Sequence, residues 1–155
     1  MSFTNSNDYI TGRKPAVYPA GCEVVAMRFP LSLATADLAL NVIGQVGVLP
    51  AGCVPVALIV DSDDMDSNGT PTLAMSIGVL NTAGTALSTA TDDGGAVWAT
   101  GVVISEMGGM AFANSAALQR VNQTQADRKI GILVSTASAT AVAGVIGVTL
   151  LYRAA

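Results

Sequence analysis

The sequence predicts an all-β chain: a single β-sandwich of about seven or eight strands, preceded by an extended arm. Three observations lead there. Period-two alternation recurs along the chain, as where Val25, Met27 and Phe29 alternate with Val24, Ala26 and Arg28. The apolar share, 51% of all residues, is mostly Ala, Val, Leu and Ile with few aromatics, and Gly and Thr are plentiful; that mixture suits β-branched packing between sheets. Turn-rich segments such as "NTAGTALSTATDDGG" separate the alternating runs. At 155 residues the chain suits one domain, large enough to bury roughly two-thirds of the surface its unfolded form would expose.

Charge narrows the function classes. Charged residues make up only 12%, so the chain is not expected to be disordered. Seven basic residues and a net charge of −4 make a poor nucleic-acid binder. So low a surface charge suggests that a partner covers part of the surface. The opening stretch "MSFTNSNDYITGRKPAVYPAG" has neither the apolar core nor the cleavage pattern of a signal peptide.

Residues 1–20 are polar, contain Pro15 and Pro19, and show no periodicity. They read as an extended arm that orders when it lies against something, leaving 21–155 as the sandwich domain. The first strand starts at Glu23 and stops at Pro30. A second is expected where Leu38, Leu40 and Val42 alternate with Ala39 and Asn41. In "LPAGCVPVALIV", Val54, Val56, Leu58 and Val60 fall on one face, and Pro55, which has no N–H to donate, marks an edge or a bulge. Leu73, Met75, Ile77 and Val79 then alternate with Thr72, Ala74, Ser76 and Gly78. These two runs are expected to form a hairpin around "DSDDMDSNGTPT". In "AVWATGVVISEMGG", Val97, Gly101 and Ile104 have helical spacing against a strand-like composition, and one short helix is expected there. "MAFANSAALQRV" reads as an irregular strand. "RKIGILVST" and "GVIGVTLLYR" close the chain as a second hairpin, with Ile130, Ile132 and Val134 sharing one face and Ile146, Val148, Leu150 and Tyr152 sharing another.

Residues 130–151 carry no charge and have about the length of a membrane-spanning helix. Ser135, Thr136, Ser138, Thr140 and Thr149 dilute the segment, however, and its β-branched residues fall in two blocks. Two strands explain those blocks and a membrane span does not. A small echo, "YPAGCEVVA" at 18–26 and "LPAGCVPVA" at 49–57, reads as one strand-entry device used twice. Cys22 and Cys53 are expected to be reduced, buried thiols, because two thiolates without histidine are too few for zinc.

The acidic loop is the one candidate metal site. Asp64, Asp66, Asn68 and Gly69 match the opening of an EF-hand loop, but the position that needs a bidentate glutamate is Met75, and strands flank the loop where helices are required. A looser calcium site built from Asp61, Asp63, Asp64, Asp66 and Asn68 stays open, since crowded carboxylates repel one another unless solvated or bound to a cation. The ordinary alternative is a solvated turn, because Asp, Asn, Ser and Gly are turn formers. Asp92 and Asp93 are expected at the opposite end of the sheet. Catalysis finds no support. The chain has no histidine, which removes the commonest general base; Lys14 and Lys129 are the only lysines, and no phosphate-loop pattern occurs. The chain is therefore read as no enzyme.

The stretches "LPAGCVPVALIVDSDDMDSNGTPTLAMSIGVLN" and "DRKIGILVSTASATAVAGVIGVTLLYRAA", together with the overall length, resemble the small jelly-roll decoration, or cement, proteins of tailed-phage capsids. The strand–acidic loop–strand unit and the closing strands ending in "LLYRAA" carry the resemblance. It runs from about Tyr18 to the end, and 96–121 match less clearly. It implies a structural virion protein, assembled in the host cytoplasm, that sits on the capsid exterior and bridges major capsid subunits. It also implies no cofactor and no catalytic residue. On that expectation the chain would associate with itself, as a dimer or trimer, and with the major capsid protein, but with neither nucleic acid nor membrane. Tyr9, Arg13, Lys14 and Tyr18 on the arm would form the interface. Two other classes remain: a calcium-dependent binding module on a β-sandwich, and a small membrane protein built on the C-terminal stretch.

Overall fold

Alternation decides which side chains point inward, and the inward rows assemble the protein. The structure, a computed structural model, describes residues 1–102 and 109–155. Its strands are β1 (Val24–Leu33), β2 (Ile43–Leu49), β3 (Cys53–Ser62), β4 (Ala74–Val79), β5 (Ala99–Val102), β6 (Gly109–Phe112), β7 (Arg128–Thr136) and β8 (Gly144–Ala154). They form two four-stranded sheets, in the orders β1-β8-β3-β6 and β2-β7-β4-β5. All pairings are antiparallel, and four of them nest: β1 with β8, β2 with β7, β3 with β6, β4 with β5. That nesting is one long hairpin rolled into two layers, the jelly-roll form of the β-sandwich. Met27, Phe29, Leu31, Leu58, Val60, Ile146, Val148 and Leu150 of one sheet are buried against Met75, Ile77, Val79, Ile130, Ile132 and Val134 of the other. At about 25 cal/mol per Å² of apolar area, this interior is the main source of stability.

Both expected hairpins are corrected. β3 and β4 lie in different sheets, as do β7 and β8. The connections 63–73 and 137–143 are long enough to cross the gap of about 10 Å between sheets, so each strand's neighbour is distant in sequence. The expected strand over Leu38–Val42 is replaced by a 3-10 turn over Thr35–Leu38. There the Asp37 carboxylate accepts the Ala34 N–H at 2.9 Å, and Asn41 turns through φ 64° before β2 begins. Within 96–109, where a helix is expected, Ala99–Val102 is a strand and Gly109 opens β6; Ile104 lies outside the described residues. The helix is instead α1 (Ala116–Gln119), inside the stretch read as an irregular strand, where Ser115 Oγ accepts the Leu118 N–H.

Pro55 does mark a bulge: the β3–β8 register shifts between Pro55 and Ala57. The shift overturns the single face assigned to β3. Leu58 and Val60 point into the core, while Val54 lies half-buried opposite Arg153. The Pro-Ala-Gly-Cys echo does mark two strand starts, for β1 and β3 flank β8 with Val24 and Val54 both opposite Arg153. Both cysteines are free; Cys53 is buried but Cys22 is exposed, because it precedes the first inward position of β1. No helix among the described residues is long and apolar enough to cross a membrane.

Candidate functional site

The acidic loop leaves β3 and disperses its carboxylates. Asp61, the last outward residue of β3, pairs with Arg28 across Gly147 of β8. Asp63 exchanges bonds with Val145: its N–H donates to the Val145 carbonyl at 3.0 Å, and its Oδ2 accepts the Val145 N–H at 2.8 Å. Asp64 Oδ1 accepts the Asp66 N–H at 3.1 Å, a local turn. Asn68 accepts the Thr70 N–H and donates to Thr140 Oγ1.

Asp66 stands apart, being 1% exposed. Its Oδ2 accepts the N–H groups of Thr72, Leu73 and Ala139, and its Oδ1 accepts that of Thr140. Burial pushes this carboxyl up, but the four N–H bonds outweigh burial and hold it well below the usual carboxylate range. A carboxylate so occupied ties the β3–β4 connection to the β7–β8 connection. The residues Asp61, Asp63, Asp64, Asp66 and Asn68 are thus neighbours in sequence with separate partners. Among the described residues, no group of three or more His, Cys, Asp or Glu side chains is placed to hold a metal ion.

Asp92 and Asp93 lie at the other end of β7 and serve Arg128. The buried Arg128 donates to the Asp92 and Cys53 carbonyls and faces Asp93 Oδ1 at 3.7 Å. Burial lowers the basicity of this guanidinium and Asp93 offsets part of that effect. Burial also pushes the Cys53 thiol up, away from the thiolate form that reacts. An open cleft of about 430 Å³ between 97–102 and 111–115 has no acid, base or thiol among its described lining residues.

The arm lies along the opening between β1 and β2, the edge strands on one side of the sandwich. Asn7 closes that opening: its Nδ2 donates to the Pro30 carbonyl at 2.9 Å and the Val46 carbonyl at 2.8 Å, one in each sheet, while its Oδ1 accepts the N–H groups of Tyr9 and Ile10. Thr4 donates twice to the buried Asp37, and the Phe3 ring packs on Gly44. Of the residues assigned to an interface, Tyr9 is half-buried, with its ring edge-on to Phe29 at 4.9 Å. Arg13 and Lys14 are exposed beside Asp8. Tyr18 is exposed, with its hydroxyl beside Gly52.

A second surface escaped the sequence reading. Met110 and Phe112 on β6 are each 67% exposed, and Val24 on β1 is 50% exposed, all on the outer face of the β1-β8-β3-β6 sheet. The signal was present in "CVPVALIV" and "VIGVTLLY", which are apolar on both faces. An antiparallel strand with one wet face should alternate with polar residues instead.

No family model matches the chain, and no curated protein matches it. Two solved structures are similar. One, titled the capsid of Ralstonia phage GP4, contains a chain 28% identical, with 97% of each chain covered and a TM-score of 0.82. The other, titled the Cyanophage Pam1 capsid asymmetric unit, contains a chain 18% identical, with 90% of each covered and a TM-score of 0.57; at that identity the likeness concerns the fold.

Proposed function

We propose that the chain is a structural, non-enzymatic component of a phage virion that binds the outside of an icosahedral head and bridges major capsid subunits, associating also with itself. The observation that carries this reading is the likeness to a capsid chain of Ralstonia phage GP4, at 28% identity over 97% of both chains. Such a likeness supports a virion structural role. The reading of the chain as a decoration protein rests on the jelly-roll layout, the acidic-loop unit and the closing "LLYRAA" strand. A shell also provides what a weakly charged surface needs, a partner over a broad area, and symmetry multiplies each small contact.

On this reading the arm is part of the interface. Arg13, Lys14 and Tyr18 present two charges and one ring at the surface, while Asn7 and Tyr9 hold the segment against the sandwich. The test is to mix the purified chain with heads that lack it, then measure co-sedimentation and the melting temperature of the heads. Saturable binding that raises the head's melting temperature is expected. No binding to heads of the phage that encodes the chain overturns the reading. A chain without residues 1–20 should bind less; equal binding removes the arm from the interface.

A further inference from the structure

We infer that the chain docks end-on: the end of the sandwich where β1 and β3 start and β8 stops seats on an acidic patch of the shell, and the acidic loop at the far end points away. The inference names the partner surface for the head binding proposed above and rests on that reading.

The fold sorts charge by end. Val24 pairs with Arg153, Cys53 with Ala154 and Leu49 with Arg128, and Arg128 Nη2 donates to the Cys53 carbonyl, so these strand ends lie together. Gln119 donates to the Val56 carbonyl, which brings Arg120 to the same end, and Lys14 and Tyr18 line a cleft there with Pro50. Arg13, Lys14, Arg120, Arg128, Lys129 and Arg153, six of the chain's seven bases, thus gather at one end against Asp8, Glu23, Asp92, Asp93 and Asp127. The far end holds Asp37, Asp61, Asp63, Asp64 and Asp66 against Arg28 alone; Glu106 lies outside the described residues. The first end is close to neutral, and the negative charge of the chain belongs to the far one.

At the near-neutral end the acids are occupied and several bases are not. Asp8 faces Lys14 at 3.4 Å, Glu23 accepts the Ala20 N–H, and Asp127 accepts the Ala51 N–H. Asp92 accepts the Asn122 amide, and Asp93 serves Ser88 and the buried Arg128. Arg120, Lys129 and Arg153 are exposed and, among the described residues, enter no ion pair. They reach this end from the α1–β7 connection, from β7 and from β8, and carboxylates of a partner are the groups they can take.

The same end offers an anchor point. The cleft, of about 300 Å³, is walled by Tyr9, Pro15, Tyr18, Val48 and Pro50, and Val17, Tyr18 and Val24 are each at least half exposed. Aromatic side chains and arginine are the types enriched at protein interfaces, whereas Asp and Ser are depleted there. The far end exposes Asp64 and Ser67. Leu40 and Val142 are exposed at that end too, but docking there would strip water from carboxylates that have no base to meet them. The ten residues of β1 separate the two ends by about 30 Å, several screening lengths at ordinary salt, so the two ends act on a partner independently.

The test is co-sedimentation of the purified full chain with heads that lack it, at low and at high salt. Wild-type affinity should fall as salt rises. Arg120→Glu combined with Arg153→Glu should weaken binding at least about tenfold, and Tyr18→Ala should weaken it about tenfold. Asp64→Lys combined with Ser67→Lys, at the far end, should leave binding within about twofold. Each variant is melted alongside. If the Arg120 and Arg153 pair melts early, Lys129→Glu takes its place and should weaken binding about threefold. Wild-type binding that survives high salt and the changes at the basic end overturns the docked end and leaves the virion reading intact. A loss as large from the far-end pair does the same. A wild type that binds no heads of the phage that encodes it overturns the virion reading and the docking with it.

Discussion

Asp66 Oδ1 accepts the backbone N–H of Thr140 at 2.8 Å across 74 residues of sequence, while Oδ2 accepts three further N–H groups from Thr72, Leu73 and Ala139. A residue that belongs by sequence to a candidate cation loop is thus a structural clamp between two sheet crossings. Replacing Asp66 with Ala leaves four backbone donors without their acceptor, that of Leu73 in a buried bond and those of Thr72, Ala139 and Thr140 in part-buried ones. The expected cost is about 3 kcal/mol or more, or roughly 6 to 12 °C in melting temperature for a chain of this size. Asp66→Asn should also destabilise, because its amide nitrogen cannot accept. Loss of less than 1 kcal/mol in Asp66→Ala, measured by urea unfolding, refutes the clamp.

The same group sets an acid limit. Its folded pKa lies below the ordinary 3.8, so below that value the unfolded chain takes up this proton before the folded chain does. The stability from Asp66 is therefore complete above pH 3.8 and is lost as the pH falls further toward the folded value. Urea midpoints from pH 7 down to 2 should show a steep loss below 3.8 in the wild type and a shallower one in Asp66→Asn.

Calcium should not shift the melt. Asp61 is paired with Arg28, Asp63 and Asp66 accept backbone N–H groups, and Asp64 closes its own turn. A cation would have to displace these partners. A ligand at 100 times its dissociation constant adds about 2.7 kcal/mol to stability; melts with 5 mM calcium and with chelator should instead coincide. A reproducible upward shift with calcium would restore the loop as a site.

The core was legible in the sequence because inward positions obey a local rule. The rows of Phe29, Ile77, Ile132 and Val148 follow period-two alternation, and they are buried. Strand pairing obeys no local rule, so β3 and β4 looked like a hairpin when nested pairing had placed β6 and β8 beside β3. Asp66 illustrates the same limit at the site. Its composition suggested cation binding, and its occupation by Ala139 and Thr140 depends on a crossing that no stretch near residue 66 encodes. Leu38 fits a strand by local alternation, but the Asp37 carboxylate turns its segment by accepting the Ala34 N–H and is itself held by Thr4, 33 residues away.

Two glycines in similar strand settings should respond differently to alanine. A Cβ at Gly47 would lie 2.6 Å from the ring of the fully buried Phe29. The ring has nowhere to go, so Gly47→Ala should cost about 2 to 3 kcal/mol. At Gly147 the nearest atoms, at 2.5 Å, are the tips of Arg28 and Asp61, which can move aside. Their ion pair, partly open to solvent, contributes about 0.2 to 1 kcal/mol, so Gly147→Ala should cost less than about 1 kcal/mol. Equal losses in chemical denaturation would mean that the atoms around the added Cβ do not decide the outcome.

The arm is tied to the core at one buried hydroxyl. Tyr152 Oη donates to the Val17 carbonyl and lies 3.0 Å from Met27 Sδ, which accepts the Val17 N–H. Tyr152→Phe removes the donor and keeps the ring, at a cost of about 1 kcal/mol. That loss should fall mainly on local opening of the arm rather than on the whole sandwich. Trypsin at the exposed Arg13 reads the opening directly, and cleavage should quicken about fivefold in Tyr152→Phe while the global melting temperature moves by only a few degrees. Burial pushes the Tyr152 hydroxyl up to about 12 from its ordinary 10. The unfolded chain therefore loses this proton first as the pH rises. The stability from Tyr152 is complete below pH 10 and is lost between 10 and about 12, a decline that Tyr152→Phe should reduce. Cleavage at Arg13 that is no faster in the variant would show that Asn7 and Asp37 hold the arm without help from Tyr152.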